Sequence, residues 1–226
     1  LVFGMIINVT VSMILVDVSV PIFERLLNIP TPYRLMEISR EDNPLLDRMA
    51  QVAQGSFTHS RHVAELAYVA AKTVGANPLL ARVGAMFHDI GKSDHPEYYI
   101  ENQTEENKHD DIKPSLSVAI IKSHVKLGVE KGREAGLPQE VLDIIGQHHG
   151  NDVIQFFYSE AIKEAQERSG EVNIEDYSYN NEIPQTKEAA VVMLADVVEA
   201  ATRTMKKPTH SKYQKQIRKL IMGKVD

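Results

Sequence analysis

The chain has 226 residues, 43% hydrophobic and 25% charged, which is ordinary globular usage, excludes a disordered chain and suffices for a buried core. Lysine and arginine number 25 against 31 aspartates and glutamates, a formal charge of −6, so no global basic field exists to grip long nucleic acid, and a small anionic substrate needs local cations or metal ions. The absence of cysteine excludes disulfide frameworks, thiolate zinc sites and thiol nucleophiles.

Residues 1–20 contain no Lys, Arg or Glu, and Asp17 is their only charge. At about 1.5 Å per residue such a stretch crosses most of a hydrocarbon layer of roughly 30 Å. A signal peptide would need a basic start and a small-residue cleavage site, and neither precedes Pro21. Beginning on Leu1 rather than Met, the chain reads as a piece of something longer. A buried strand or helix is the alternative. Val9-Thr10-Val11-Ser12 and Val16-Asp17-Val18-Ser19-Val20 alternate with period two, and Asn8, Ser12 and Asp17 weaken a membrane helix. Composition leaves both readings open.

Ile22 to Met36 reads as a short amphipathic connector, punctuated by Pro21, Pro30 and Pro32. From Asn43 onward the pattern is helical. Ser60 to Val74 carries Val63, Leu66, Ala67, Ala70 and Val74 at helical spacing. Gly75-Ala76-Asn77-Pro78 breaks that helix, and the next runs from Leu79 to His88. Asp94 to Pro114 is polar and irregular. Leu116 to Ala135, Gln139 to His149, Val153 to Arg168 and Lys187 to Met205 follow as helices, with a polar loop from Ser169 to Gln185. Arg203 to Lys224 holds eight Lys or Arg and no acid. It reads as the solvated face of a last helix, or as a surface attracted to anionic lipid.

The chemistry sits in a scattered set of imidazoles and carboxylates. His59 opens one helix, His88-Asp89 ends the next, His124 lies mid-helix, and His148-His149 precedes Gly150. Asp196 interrupts the apolar run Val191 to Val198, and a carboxylate buried there must be paired or metal-bound. Each residue lies on a helix with an apolar face, so a bundle that packs those faces brings the set to one interior point. Imidazole with carboxylate suits Mn, Fe, Zn or Co. Two carboxylates, one of them bridging, with four or five histidines suffice for two ions, which clamp a phosphoryl group. Lys92, one turn past Asp89, can pair with a phosphate oxygen. Alone, each is weaker. Asp196 could cap or pair with Arg203, and His149 could be a ligand, a substrate contact or a neighbour. His95, His109 and His210 sit in polar or basic context and read as surface residues.

These segments resemble the HD-domain superfamily of metal-dependent phosphohydrolases. More closely, the chain is similar to the seven-transmembrane HD (PgpH-type) family of bacterial cyclic-di-AMP phosphodiesterases. The likeness is carried in order by Asn43-Pro44-Leu45-Leu46, Phe57-Thr58-His59-Ser60, Gly75 to Arg82, His88-Asp89-Ile90-Gly91-Lys92, Glu101-Asn102-Gln103, Ser123-His124-Val125, Gln147-His148-His149-Gly150 and Leu194 to Ala200. It departs where Ala53-Gln54-Gly55-Ser56 replaces Ala-Pro-Gly-Thr, and where Asn180-Asn181-Glu182-Ile183-Pro184 follows Tyr179 in place of Pro-Gly-Pro. The second loop could border the substrate.

The resemblance implies an all-α HD helical bundle behind the end of a transmembrane helix. Residues 1–20 become a truncated last membrane helix, 21–42 a juxtamembrane connector and 43–226 a cytoplasmic phosphohydrolase domain at the cell membrane. By the same resemblance His59, rather than its neighbour His62, holds one metal with His88 and Asp196. Asp89 bridges, and His124 with His148 or His149 holds the other. Asp89 and Lys92 are the catalytic residues implied, and Lys92, His149 and Asn102 meet the substrate. Two divalent ions, Mn or Fe, and cyclic di-AMP opened to linear pApA complete the expectation, with an oligomer left open. The alternatives are another HD-type nucleotide phosphohydrolase and a non-catalytic output domain that binds a cyclic dinucleotide.

Overall fold

A computed structural model describes residues 2–103, 107–168, 170–206 and 209–225. Leu1, residues 104–106 of the expected polar loop, Ser169 and Lys207 of the basic run lie outside the described residues. Among those described there are ten α-helices and no strand; the only β-contact is an isolated bridge between Val153 and Ser178. The helices are α1 (Val2–Leu27), α2 (Pro32–Ile38), α3 (Pro44–Val52), α4 (Gln54–Val74), α5 (Pro78–Phe87), α6 (Pro114–Glu134), α7 (Gln139–Gln147), α8 (Gln155–Arg168), α9 (Lys187–Arg203) and α10 (His210–Val225).

Their starts are written in the sequence. Pro32, Pro44, Pro78 and Pro114 each occupy a first turn, where the missing N–H costs nothing. The Thr31, Asn43, Asn77 and Thr186 side chains cap by accepting from backbone N–H groups of the first turn.

The N-terminal strand alternative fails. Residues 2–20 lie within α1, a helix of 26 residues, about 39 Å long at the standard rise. Val2–Glu24 has a mean hydropathy of 2.0, and none of its apolar window is buried inside the protein. It is long and apolar enough to cross a membrane. Thr10 and Ser19 donate their hydroxyls to the Ile6 and Val16 carbonyls, so these polar residues are satisfied within the helix, as hydrocarbon requires. The period-two pattern misleads because a run apolar on every side fits any period. The helix also passes through Pro21 and stops at Leu27, beyond the expected start of the connector; a proline within a helix removes one hydrogen bond without having to end it.

Two apolar clusters build the body. Leu35, Leu46, Met49, Val83, Phe87, Val141 and Ile145 join α2, α3, α5 and α7. Ala64, Ala67 and Ala71 of α4 meet Ala81 and Ala85 of α5 and Ala189, Val192 and Ala195 of α9. Alanine faces let three helices approach closely, and this brings the start of α4 beside the middle of α9. The segment after α5 forms short 3₁₀ turns, Ile90–Asp94, Pro96–Tyr98 and Ile100–Asn102. The first is pressed against α6: a Cβ on Gly91 would lie 1.9 Å from the His124 carbonyl oxygen. Only glycine permits that approach, and it sets Asp89 and Lys92 against the helix that carries His124.

At the other end, the buried Arg34 guanidinium donates to the Glu24 carbonyl at 3.0 Å and to the Gly136 carbonyl at 2.8 Å. It ties the end of α1 to the turn between α6 and α7. His109, expected at the surface, is half-buried. Its Nε2 donates to the Tyr98 carbonyl at 2.7 Å and its ring packs edge-on against Phe157. The polar neighbours in sequence hid an aromatic contact made by α8.

Candidate metal centre

Five helices or their ends deliver the site. His59 lies in the second turn of α4, which starts at Gln54 rather than at the histidine. His88 caps the C-terminus of α5 and Asp89 begins the following turn. His124 is in the middle of α6, His148 caps α7, and Asp196 is in the middle of α9. His59, His88, Asp89, His124, His148 and Asp196 are all buried, and His149 is half-buried.

Asp89 stands at the centre, and its two oxygens face different partners. Oδ2 lies 3.3 Å from His88 Nε2 and 3.7 Å from His59 Nε2. Oδ1 lies 3.4 Å from His124 Nε2 and 3.8 Å from His148 Nε2. Asp196 Oδ1 accepts from His59 Nε2 at 2.9 Å and is 3.8 Å from His88 Nε2. Asp196 Oδ2 is 3.9 Å from His149 Nδ1. Asp196 therefore pairs with histidines, and it is Glu199 that approaches Arg203, at 3.8 Å.

Local geometry points the imidazoles inward. His88, His124 and His148 each donate Nδ1–H to the carbonyl three residues earlier, on Ala85, Ile121 and Ile145. A carbonyl can only accept, so in the neutral rings the Nε2 lone pair faces the centre. His88 Nε2 and Asp89 Oδ1 are buried with no hydrogen-bond partner. Orphaned lone pairs of this kind are costly unless a cation meets them. Donor atoms of His59-His88-Asp89, of His88-His148-Asp196 and of His124-His148-His149 each lie within 4.8 Å of one another. The residues fit a pair of divalent ions with a nitrogen and oxygen shell.

The electrostatics agree. Burial pushes His124 down to about 4 and His148 down to about 3, so both are neutral donors at pH 7. Burial also depresses His149, helped by the neighbouring His148. For His59 burial acts downward too, but the hydrogen bonds to Asp196 and Glu199 outweigh it and raise the ring to about 10. Burial opposes ionisation of Asp89, yet His88 and Lys92 hold its carboxyl well below the usual range.

Lys92 reaches Asp89 Oδ2 at 2.7 Å and Glu101 Oε1 at 2.9 Å, and stands 5.0 Å from the Tyr99 ring centroid. Burial would lower its pKa; Asp89 and Glu101 raise it well above the ordinary lysine value. Glu101 also accepts from Ser56 Oγ at 2.8 Å. Gly55 makes this docking feasible, since a Cβ there would lie 1.8 Å from the Glu101 carbonyl oxygen. Asn102, expected at the substrate, uses its amide within the protein. Oδ1 accepts from Ser56 N at 3.0 Å, and Nδ2 donates to Ser56 Oγ at 2.9 Å and Pro96 O at 3.3 Å. A cavity of about 390 Å³ opens on this cluster, bordered by Lys92, His149, Ile154, Tyr179, Asp196 and Arg203. Tyr179 stacks on His149 with centroids 4.2 Å apart and borders the cavity, whereas residues 180–184 of the loop that follows it do not line it.

Sequence reading missed Glu101 and Glu199 as parts of the site. Glu199 follows Asp196 by three residues, just past the apolar run, hence on the same helix face, and that spacing was the available signal. Glu101 gave no periodic signal, because it lies in a loop; its only mark was the Glu101-Asn102-Gln103 segment of the family resemblance.

A family model described as HD domain matches residues 56–201. The chain belongs to the HD domain family. The matched span holds every residue of the HD centre, from His59 to Asp196. Among curated proteins, the cyclic-di-AMP phosphodiesterase PgpH of Bacillus subtilis is 40% identical over 215 residues, covering 95% of this chain and 30% of that protein. PgpH of Listeria monocytogenes is 42% identical over 194 residues, covering 85% and 26%. The chain thus spans under a third of the length of these relatives. Among solved structures, the HD domain of L. monocytogenes PgpH in complex with cyclic-di-AMP superposes with a TM-score of 0.76 at 41% identity, covering 80% of this chain and 83% of that one.

Proposed function

We propose that this HD domain is a dinuclear metal phosphodiesterase that opens cyclic di-AMP to linear pApA. The observation that carries the reading is Asp89, one buried carboxylate whose two oxygens face two separate groups of imidazoles. In this reading His59, His88 and Asp196 hold one ion, His124 with His148 or His149 holds the other, and Asp89 serves both. Mn²⁺ and Fe²⁺ suit the mixed nitrogen and oxygen shell. Such a pair, when bound, lowers the pKa of an attacking water and neutralises phosphate charge.

The remaining work falls to the chain itself. Lys92 presents an ammonium to the phosphoryl oxygens as negative charge grows on them. Asp89 and Glu101 fix that ammonium from two sides, so little reorganisation is needed at the moment of reaction. Asn102 acts through Ser56, by holding the Glu101 loop on α4. His149, backed by Tyr179, faces the cavity on the substrate side. With no cysteine in the chain, direct attack by water at phosphorus, with departure of the 3′ oxygen, requires no thiol intermediate. The likeness to PgpH proteins supports the choice of cyclic dinucleotide over another nucleotide.

For the rest of the chain, residues 1–20 cross the membrane, 21–42 form the connector and 43–226 work in the cytoplasm. The exposed apolar surface of α1 supports the membrane-crossing part of this division. The deciding experiment incubates the chain with Mn²⁺ and a panel of cyclic dinucleotides and separates the products. Cyclic di-AMP is expected to give pApA, and Asp89→Ala to abolish turnover. Release of nucleoside or inorganic phosphate would place the chain among other HD nucleotide hydrolases. Tight binding without turnover would make it a receptor module, and normal turnover by Asp89→Ala would end the mechanism.

A further inference from the structure

His59 differs from the other inward-facing imidazoles in what holds its second nitrogen. His88, His124 and His148 each donate Nδ1–H to the carbonyl three residues earlier on their own segment. His59 lies within α4, and its Nδ1 instead donates across to Glu199 Oε2 on α9, at 2.5 Å. Both partners are buried, at 5% and 6% exposure. One turn earlier on α9, Asp196 Oδ1 lies 2.9 Å from Nε2 of the same ring, the spacing of two donor atoms that share one ion. A single imidazole is thus flanked at both nitrogens by carboxylates three residues apart on the facing helix.

Glu199 is itself fixed from the outside. Its Oε1 lies 3.5 Å from His62 Nδ1, and its Oε2 lies 3.8 Å from Arg203 Nε. His62, exposed and one turn after His59 on α4, therefore belongs to the support of Glu199. The alanine contact between α4 and α9 sets the distance that all these groups span.

We infer that Glu199 is a positioning residue for metal binding: it locks His59 in the tautomer that turns Nε2 to the ion and, as an anion, makes that ring a stronger donor than its carbonyl-held counterparts. A carboxylate behind a ligating histidine does both things, and removing one typically costs 10–100-fold in metal affinity. The inference rests on the dinuclear reading of the site but concerns the ion that His59 serves, whatever the substrate.

The test titrates metal-freed protein with Mn²⁺ by calorimetry and counts ions retained after desalting. Glu199→Ala is expected to weaken one of the two Mn²⁺ by about 10–100-fold and leave the other near its wild-type affinity. Glu199→Gln keeps the shape and can still accept from Nδ1, so it is expected to recover most of that loss and to guard against a folding defect. Wild-type Mn²⁺ affinity in the alanine variant, equal weakening of both ions, or a glutamine variant no better than alanine overturns the assignment. Because the readout is metal and not turnover, a failure of the cyclic di-AMP reading leaves this result intact and separately visible.

Discussion

Single side chains at this centre do more than one task, so their removal has predictable signatures. Lys92 is the clearest case. It lies against the Asp89 carboxylate on one side and Glu101 on the other, with its pKa driven up by both. Lys92→Ala removes the charge proposed to meet the phosphoryl group and should lower kcat by about 10²–10³-fold, the usual cost of losing one preorganised donor. Mn²⁺ stoichiometry should stay at two, since lysine contributes no metal bond. Steady-state kinetics beside metal analysis would expose the opposite pattern, a lost ion with modest change in kcat. At this scale the sequence spoke unevenly. His59, His88, Asp89, His124 and Asp196 announced themselves as polar residues on apolar faces. Glu101 showed only as part of a motif shared with the family, because a loop has no face, and Glu199 was masked by Asp196, which already accounted for the interrupted run.

Among the elements, the helices were legible because proline and asparagine punctuate them. Asn77 is typical: its side chain accepts from Leu79 N and Leu80 N at the start of α5. Asn77→Ala should destabilise the fold by about 1 kcal/mol in urea unfolding, the ordinary cost of a lost N-cap, with activity at saturating substrate unchanged. The stretch after α5 looked irregular and over Ile90 to Asn102 is a set of tight turns, and what places the first of them is an absence of atoms. With a Cβ at position 91, the turn could not lie against the His124 carbonyl. Gly91→Ala should therefore cost about 1–3 kcal/mol through overpacking and shift Asp89 off its imidazoles, so that stability and Mn²⁺ affinity fall together. An alanine variant that binds both ions normally would show that the close approach is dispensable. No hydropathy pattern encodes such a contact, because it depends on a helix more than thirty residues downstream.

For the whole molecule, composition left α1 divided between membrane and core. The fold settles the packing side of that question: among the described residues no apolar face of the body covers residues 2–20. The full chain should accordingly float with phospholipid vesicles in a density gradient, while a chain beginning at Asn43 should stay in the soluble fraction. A full-length chain that remains monodisperse in water without lipid or detergent would contradict this. Chelation offers a second check at this scale. Stripping the ions should lower the Tm, because the buried, like-charged neighbourhood of Asp89 and Asp196 then lacks its cations, and added Mn²⁺ should restore it by mass action.

Arg34 has an asymmetry of its own. The two oxygens it grips, on Glu24 and Gly136, belong to the main chain, which every amino acid possesses. Replacing either of those residues leaves an acceptor in place, whereas shortening position 34 severs both ends at once. Mechanical continuity between the apolar helix and the α6–α7 turn at this junction thus hangs on the side chain of one amino acid, while the two positions it fastens answer to other constraints: Gly136 holds a left-handed φ of 72°, and the buried Glu24 carboxylate accepts from Thr31 Oγ1.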